Sequence, residues 1–402
     1  MRCVILAAGE GKRMHPLTFT RPKVMLPIGN KPVLEWNLIN AIGAGLEDFI
    51  FIVGYKSEIV RNYFGNGKKW KVKIEYVNQG KPQGTAHAIG VVESFIDKNF
   101  LVLCGDTIFG KNDVKKILKK ENSIGIYKVE NPEEYGVVDI KNSKLTKIYE
   151  KIKNPNSNLI NAGIYHFNKN IFDYIKKTRK STRGEYELTD TINDIVKKHD
   201  FESTLLDSWQ DLVYPWDLLE ANKEILKLQK KEIKSTFEKN VTIKGEVSIG
   251  KDTVVMNGSY IEGPVIIGNN CKIGPNCYIR PYTSIGNDCH VGNACEIKNS
   301  IIMDNSNAPH HNYIGDSVIG FDCNLGSGTK IANLRLDKKS ISVIINGIEI
   351  DTKKRKLGCI IGDNVQTGIN STINTGTIIS NDVFIGPGAI VKGYVEPSSK
   401  LF

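Results

Sequence analysis

The sequence has no long apolar run near its amino end. Only residues 3–8 are apolar before Gly9, a segment too short for a signal peptide or a membrane-spanning helix. It also lacks a basic stretch interleaved with aromatic residues, the pattern of a surface that stacks nucleobases. The net charge of +10 is instead spread along the chain. We therefore expect a cytoplasmic protein that binds anionic small molecules rather than nucleic acid or membranes.

No C-x-x-C pair occurs among the eight cysteines, which argues against a zinc site. Four of the cysteines are separated by multiples of six residues: Cys271, Cys277, Cys289 and Cys295. Such spacing favours small, buried residues at one recurring position of a repeat.

The glycine-rich turn after residues 3–8 matches neither of two common phosphate-binding loops. A dinucleotide-binding turn needs a third glycine where Met14 stands, and a P-loop needs an earlier glycine and a hydroxyl after its lysine. What is present is a strand followed by Gly9, Gly11, Lys12 and Arg13. Backbone N–H groups freed by glycine, beside two cations, suit a ligand with several phosphates. Taken alone, the segment also fits an ordinary turn with surface cations.

At 402 residues the chain is long enough for two or three domains. Residues 1–220 alternate apolar strands with helical segments, which predicts a mainly parallel α/β sheet. We expect strands at 3–8, 49–53, 72–77 and 100–104, and helices at 33–44, 57–64 and 85–95. The segment from 218 to 237, rich in Lys, Glu and Leu, predicts a helix that links this half to the next, assigned to residues 221–239.

Asp106 stands where the strand at 100–104 ends, and ligands of parallel sheets bind beyond the carboxyl ends of strands. A single aspartate there is as often a helix cap. With a second acid, Asp217, it would form one half of a Mg²⁺ site, because Mg²⁺ is held by one or two carboxylates plus substrate phosphates.

The second half, residues 240–402, has a six-residue period. Aliphatic residues occupy nearly every sixth position from Ile243 to Met303, the phase slips around 313–320, and the period returns from Ile361 to Val391. Such a period predicts a parallel β-helix with three units per coil, the coils stacking about 4.8 Å apart. The repeat is interrupted near 334–358, where β-rich runs flank Asn346-Gly347 and predict a hairpin arm. The basic residues 353–356 at its base fit a solvated face or a contact with an anionic ligand, including coenzyme A.

Several motifs resemble those of sugar-1-phosphate nucleotidylyltransferases. They begin with Leu6-Ala-Ala-Gly-Glu-Gly-Lys-Arg-Met14, and continue in the family's order with Arg21-Pro-Lys-Val-Met-Leu-Pro27, Gln83-Gly-Thr-Ala-His87, Leu103-Cys-Gly-Asp106, Tyr135-Gly-Val137, Glu150-Lys151, Asn161-Ala-Gly163 and Trp216-Asp217. With the six-residue repeats behind them, the chain resembles the family of bifunctional N-acetylglucosamine-1-phosphate uridylyltransferase/glucosamine-1-phosphate N-acetyltransferases. The resemblance implies a Rossmann-like nucleotidyltransferase domain followed by a left-handed parallel β-helix, and a homotrimer.

The resemblance also implies roles in nucleotidyl transfer, a reaction that needs positioning and charge neutralisation. Catalytic roles fall to Arg13, Lys23 and Asp106, and Mg²⁺ would be held by Asp106 and Asp217. The implied nucleotide-binding residues, for UTP or dTTP, are Leu6, Ala8, Gly9, Gly11, Arg13, Lys23, Gln79, Gly84 and Thr85. The implied sugar-phosphate residues are Gly136, Glu150, Lys151 and Asn161.

A second set of residues resembles the acetyltransferase site, which uses acetyl-CoA. His310 is its implied base, and the other members are Arg280, Lys298, Tyr313, Asn324, Ser327, Asn333 and Lys339. The family usually follows its histidine with Leu and then Ser or Thr, whereas His311 and Asn312 follow here. The spacing to Tyr313 favours His310 as the base, with His311 as the alternative.

Two other functions fit parts of the pattern. One is a glucose-1-phosphate thymidylyltransferase, or another sugar nucleotidylyltransferase, with a purely structural β-helix. The other is a non-catalytic scaffold subunit built on the same domains, which has no need for the cations and carboxylates retained here. The sequence does not decide the preferred sugar, or the base, since uracil and thymine differ by one methyl group.

Overall fold

The computed structural model describes residues 1–402 and divides into two compact units. The first unit comprises Met1–Glu10, Arg21–Met25 and Val33–Asp211, and the second comprises Gly11–Thr20, Leu26–Pro32 and Leu212–Phe402. Two short segments from the amino-terminal region therefore pack with the carboxyl-terminal half. None of the helices has the length and apolarity needed to cross a bilayer.

The four predicted strands and three predicted helices are present before the repeat, together with further elements that the sequence analysis did not assign. The strands are β1 Arg2–Ala7, β2 Pro27–Ile28, β3 Lys31–Pro32, β4 Asp48–Val53, β5 Lys73–Asn78, β6 Phe100–Cys104, β7 Thr107–Phe109, β8 Ser123–Lys128, β9 Gly136–Lys141, β10 Lys144–Glu150, β11 Leu159–Phe167, β12 Glu202–Leu205 and β13 Trp209–Asp211. The helices are α1 Val33–Gly43, α2 Ser57–Phe64, α3 Thr85–Gly90, α4 Lys111–Leu118, α5 Ile171–Ile175, α6 Leu188–Val196 and α7 Asp217–Lys227, and single 3₁₀ turns lie at Lys12–Met14, Lys23–Met25, Lys68–Trp70, Glu93–Phe95 and Pro132–Glu134.

The first unit is built on a nine-stranded sheet in the order β5-β4-β1-β6-β11-β8-β12-β10-β9. Its four strands β5, β4, β1 and β6 are parallel, as predicted, and β11 joins β6 antiparallel. The central strands β1, β4 and β6 are almost entirely apolar, as expected for strands that helices cover on both faces. Helices α1, α2 and α4 lie on one face, and α3, α5 and α6 lie on the other. The carboxyl ends of the adjacent strands β1 and β6 therefore form one edge, where Gly9 and Asp106 follow.

Two helices are shorter than predicted. The helix expected over 85–95 ends at Gly90 and is followed by the separate 3₁₀ turn Glu93–Phe95. The linking helix expected over 221–239 is α7, which ends at Lys227. Residues beyond it already pair as β-helix strands, Glu232–Ile233 with Ser248 and Ile249, because backbone pairing to the next coil replaces helical hydrogen bonds.

The β-helix has three parallel sheets, as expected for the left-handed form. Sheet I contains Glu232–Ile233, Val247–Ile249, Val265–Ile267, Thr283–Ile285, Ile301–Ile302, Val318–Ile319, Cys359–Ile361, Thr377–Ile379 and Tyr394–Val395. Sheet II contains Thr236–Phe237, Val254–Val255, Lys272–Ile273, His290–Asn293, Asn307–His310, Asn324–Leu325, Gln366–Thr367, Phe384–Ile385 and Lys400–Leu401. Sheet III contains Thr242–Lys244, Tyr260–Glu262, Tyr278–Ile279, Glu296–Lys298, Tyr313–Gly315, Lys330–Ile331, Thr372–Ile373 and Ile390–Val391.

The inward ladder of the β-helix changes phase earlier than the sequence indicated. Ile285 is paired with Ile302, so the ladder continues through Ile302 and Ala308 instead of Met303 and Pro309. The cause is a coil one residue shorter, and the run of three apolar residues at 301–303 hid it from the six-residue count.

The repeat cysteines lie in the β-helix core as buried free thiols. Cys271 and Cys295 each donate to a backbone carbonyl of the next coil at 3.1 Å. Burial raises the pKa of Cys277 to about 11 and that of Cys323 to about 12. These thiols therefore act as small packing residues, in agreement with the interpretation of their spacing.

The predicted arm is an antiparallel hairpin of Ser342–Ile345 and Ile348–Asp351. Its turn residues Asn346 and Gly347 have φ angles of 51° and 76°, the left-handed values that a type I′ turn requires. The Asn346 side chain donates to the Lys12 carbonyl at 3.3 Å, within the second unit.

Candidate active sites

The edge formed by β1 and β6 carries a buried cation paired with a carboxylate. Lys23 is only 8% exposed, and its Nζ lies 2.7 Å from Oδ2 of Asp106. Asp106 is followed directly by β7, so the helix-cap alternative is wrong for this residue. Gly105, which the motif reading did not single out, permits the close approach of the two strands, because a Cβ there would lie 2.4 Å from the Leu6 carbonyl oxygen.

Gln79 and Gly84 lie together at the same end of the sheet. Gln79 is buried, and its Nε2 donates to the Gly84 carbonyl at 3.3 Å. Gly84 has φ 109°, and a Cβ there would lie 2.5 Å from the Tyr186 carbonyl oxygen, so only glycine fits. Thr85 begins α3, and its Oγ1 accepts a hydrogen bond from the Leu188 N–H at 3.0 Å.

Glu150, Gly136 and Asn161 surround one small space. A Cβ on Gly136 would lie 3.2 Å from Oε2 of Glu150 and 3.7 Å from Cβ of Asn161. Burial raises the pKa of Glu150, and the charge of Arg183, whose Nη2 lies 3.2 Å from Oε1, opposes this shift. Lys151 follows in the left-handed conformation and is exposed. Arg183 was not foreseen, because no motif marks it in the sequence.

The remaining nucleotidyl residues, Gly11, Arg13 and Asp217, belong to the second unit. The Arg13 guanidinium lies over the Tyr214 ring, 5.8 Å from its centroid. Asp217 Oδ2 accepts hydrogen bonds from the Val213 and Tyr214 N–H groups at 2.9 and 2.7 Å. Asp217 thus orders the segment against which Arg13 packs.

The predicted acetyltransferase residues Lys298, Tyr313 and Asn333 meet on sheet III around Gly315. Lys298 is paired in register with Gly315 on the next coil. A Cβ on Gly315 would lie 2.6 Å from Nδ2 of Asn333 and 2.9 Å from the Tyr313 hydroxyl. The missing side chain therefore lets the Asn333 amide and the Tyr313 phenol pack closely against the Gly315 backbone, beside Lys298 of the preceding coil. We refer to these four residues as the Gly315 cluster. Arg280, one coil before Lys298, is held by Glu296 at 2.7 Å.

His310 ends the strand Asn307–His310 and is exposed. Its backbone N–H donates a hydrogen bond to Oδ1 of Asn312, and the Asn312 Nδ2 donates in turn to the Gly326 carbonyl at 2.9 Å. Asn312 stands where the family usually has Ser or Thr. Its buried side chain holds the backbone of His310 in place. His311 occupies the left-handed region with φ 51°. The pKa of His290, in the preceding coil, is lowered by burial and by the charges of Lys272 and His310.

Other predicted residues lie on later turns. Asn324 is paired with Asn307 in sheet II. The backbone carbonyl of Ser327 accepts a hydrogen bond from the Asn370 N–H. Lys339 lies in the exposed segment before the hairpin, where its N–H donates to Asp337. Lys353, at the base of the hairpin, pairs with Asp351 and is largely exposed, as on a solvated face.

No group of three or more His, Cys, Asp or Glu side chains is arranged to hold a metal ion.

Both halves of the chain resemble known protein families. A family model described as nucleotidyl transferase matches residues 2–228, and one described as the GMPPB C-terminal domain matches residues 261–341. The crystal structure of a putative glucose-1-phosphate thymidylyltransferase from Bacillus anthracis superposes with a TM-score of 0.52 and 32% identity, covering 55% of this chain and 94% of that one.

Two relatives align along the whole chain. A bifunctional protein GlmU of Methanocaldococcus jannaschii is 42% identical over 404 residues, covering 100% of this chain and 97% of the relative. A bifunctional sugar-1-phosphate nucleotidylyltransferase/acetyltransferase of Sulfurisphaera tokodaii is 43% identical, covering 98% and 99%. Because the identity extends over both halves, the chain belongs to the family of bifunctional sugar-1-phosphate nucleotidylyltransferase/acetyltransferases.

Proposed function

We propose that the chain catalyses two steps of UDP-N-acetylglucosamine synthesis. It transfers an acetyl group from acetyl-CoA to glucosamine 1-phosphate, and then a uridylyl group from UTP to N-acetylglucosamine 1-phosphate, releasing pyrophosphate. The single observation that carries the double assignment is the polar Gly315 cluster, in which Lys298, Tyr313 and Asn333 meet. A purely structural β-helix does not need a cation, a phenol and an amide around a missing side chain.

In nucleotidyl transfer, an oxygen of the sugar phosphate attacks the α-phosphorus of the NTP in line with the departing pyrophosphate. Arg13 and Lys23 neutralise the triphosphate, and the glycines of the turn donate backbone N–H groups. Gln79 with Gly84 binds the base, and Glu150 with Asn161 accepts sugar hydroxyls while Lys151 meets the sugar phosphate.

Mg²⁺ fits the chemistry of two residues of the nucleotidyl set. Asp106 offers a carboxylate whose side chain is 41% exposed at a strand end, and Asp217 offers a second one. Hard carboxylate oxygens are the donors that Mg²⁺ prefers. When bound, the ion would neutralise charge on the phosphates.

In acetyl transfer, the 2-amino group of glucosamine 1-phosphate attacks the thioester carbon of acetyl-CoA, and coenzyme A leaves as the thiol. His310 takes the proton from the attacking amine, since histidine has a pKa near working pH. Arg280 and Lys298 bind the sugar phosphate, and Tyr313, Asn324, Ser327, Asn333 and Lys339 complete the site.

A crossed pair of variants tests the two assignments. Asp106→Ala should abolish nucleotidyl transfer and leave acetyl transfer intact, whereas His310→Ala should lower the acetyl-transfer kcat about 10²–10⁴-fold and leave nucleotidyl transfer intact. His311→Ala is the matched control and should have little effect on either. A crippled His311→Ala variant beside an active His310→Ala would assign the base to His311. Assays with a panel of sugar phosphates and with UTP and dTTP define the specificity.

We also propose a homotrimer. Apolar side chains on the outside of the β-helix, including Ile369, Phe384 and Ile390, are 48–79% exposed in the single chain and suit burial against other copies. Sedimentation should show a trimer at micromolar concentration, and a fully active monomer would contradict this assembly.

A further inference from the structure

A buried carboxylate adjoins the Gly315 cluster. Asp316 follows the strand Tyr313–Gly315, is 5% exposed and has φ 51°. Its Oδ2 accepts a hydrogen bond from Nδ2 of Asn333 at 2.5 Å and lies 3.3 Å from Nζ of Lys298. Its Oδ1 accepts a hydrogen bond from Nδ2 of Asn299 at 2.6 Å. Both oxygens are therefore engaged, and two of the three partners belong to the predicted site.

The charge of Asp316 needs a nearby cation, because a buried carboxylate without one is strongly destabilising. Lys298 provides it, and its side chain is 21% exposed, so it is not sealed within the protein. An ammonium has three N–H donors. One directed at Asp316 leaves two for a phosphate, and the long lysine chain is held in one orientation.

We infer that Asp316 is a positioning residue for acetyl transfer, which orients the Lys298 ammonium toward the sugar phosphate and fixes the Asn333 amide beside it. The inference rests on the proposed function, since it concerns the substrate of the same site. Asp316 touches neither reacting group itself and acts through its two neighbours.

A merely structural role for Asp316 is the competing explanation. Its backbone N–H donates to the Lys298 carbonyl and its own carbonyl accepts from Gly358, so the residue also closes a turn. Asp316→Asn separates the two roles. Asparagine tolerates the left-handed backbone and keeps the side-chain shape, but it removes the charge that holds Lys298.

The test is a double-mutant cycle of Asp316→Asn with Lys298→Met, measured as steady-state acetyl transfer and as binding of glucosamine 1-phosphate by calorimetry. Asp316→Asn should raise the KM and Kd for glucosamine 1-phosphate about 10- to 100-fold, within the range for a lost charge-assisted contact, and leave the KM for acetyl-CoA unchanged. In the Lys298→Met background the same change should have less than about a 2-fold effect, because the route through Lys298 is already removed and the asparagine oxygen still accepts from the Asn333 amide.

Asn299→Gly is the matched control. It removes the third partner of Asp316 at a position whose φ of 45° suits glycine, and it should change the KM for glucosamine 1-phosphate by less than about 3-fold. Nucleotidyl transfer and the thermal midpoint verify that each variant is folded. Three results would overturn the positioning role alone. They are effects on the KM for glucosamine 1-phosphate that multiply in the double mutant, an Asp316→Asn variant with an unchanged KM, and an Asn299→Gly variant whose KM rises as much as that of Asp316→Asn. A folded wild-type protein without acetyl transfer would refute the proposed function itself.

Discussion

Asn222, in the middle of α7, has no exposed surface and connects three parts of the second unit. Its Oδ1 accepts hydrogen bonds from the Gly29 N–H at 2.8 Å and the Ser284 hydroxyl at 2.6 Å. Its Nδ2 donates to the Tyr282 carbonyl at 3.1 Å. The turn between β2 and β3, the helix and one β-helix coil therefore share a single buried amide.

Asn222→Ala should destabilise the second unit by about 3 kcal/mol. Each buried group left without a partner costs about 1–3 kcal/mol, and at least the Gly29 N–H and the Ser284 hydroxyl lose theirs. The Ser284 hydroxyl can rotate toward another acceptor, and alanine favours the helix by about 0.5 kcal/mol, so the upper end of the sum is not reached. At about 2–4 °C per kcal/mol for a unit of this size, the thermal midpoint should fall by about 6–12 °C.

Thermal unfolding followed by circular dichroism measures this change. Lys227→Ala, at the end of the same helix, removes an exposed ion pair with Glu224 at 2.5 Å and should shift the midpoint by less than about 2 °C. If Asn222→Ala unfolds within 1–2 °C of the wild-type protein, about the size of the Lys227→Ala shift, the buried amide does not hold these segments together and the reasoning fails.

Three further predictions concern the Gly315 cluster, the thiols and the sugar site. Gly315→Ala should lower the kcat/KM of acetyl transfer about 10- to 100-fold and the stability by about 1–3 kcal/mol, because the new methyl would lie 2.6 Å from the Asn333 Nδ2 that Asp316 holds and 2.9 Å from the Tyr313 hydroxyl; parallel kinetics and melting curves measure both quantities. Native protein at pH 8 should react slowly with a thiol reagent at Cys277 and Cys323, whose pKa values burial raises to about 11 and about 12, and rapidly after denaturation. Burial raises the pKa of Glu150, so the carboxylate that accepts hydrogen bonds from sugar hydroxyls becomes protonated as the pH falls through a value above its ordinary pKa of 4.5. The KM for the sugar phosphate in nucleotidyl transfer should rise in that pH range, and Glu150→Gln should remove this pH dependence.

The sequence predicted the features that arise from local periodicity. The strands ending at Cys104 and Val53, the helix Ser57–Phe64 and the Asn346-Gly347 hairpin follow from alternating apolar runs and turn chemistry, which act over a few residues. The six-residue ladder predicted the β-helix for the same reason.

Features that depend on contacts between distant residues were not predictable. The phase change at Ile302 and the early end of α7 are decided by pairing with another coil, to which a local pattern is insensitive. Asp316 and Asn312 look like ordinary turn residues in the sequence, and only burial beside site residues distinguishes them. The predicted assignments of roles to individual site residues remain proposals for the variants above.

The placement of Gly11–Thr20 in the second unit has a consequence for how the protein is made. The Thr20 hydroxyl donates to Asp363 at 2.6 Å, and Lys12 accepts from Asn346, across separations of 343 and 334 residues. A ribosome synthesises this loop more than three hundred residues before these partners. The loop therefore cannot complete these contacts until Asn346 and Asp363 have been made, and its ordering is a late step of folding.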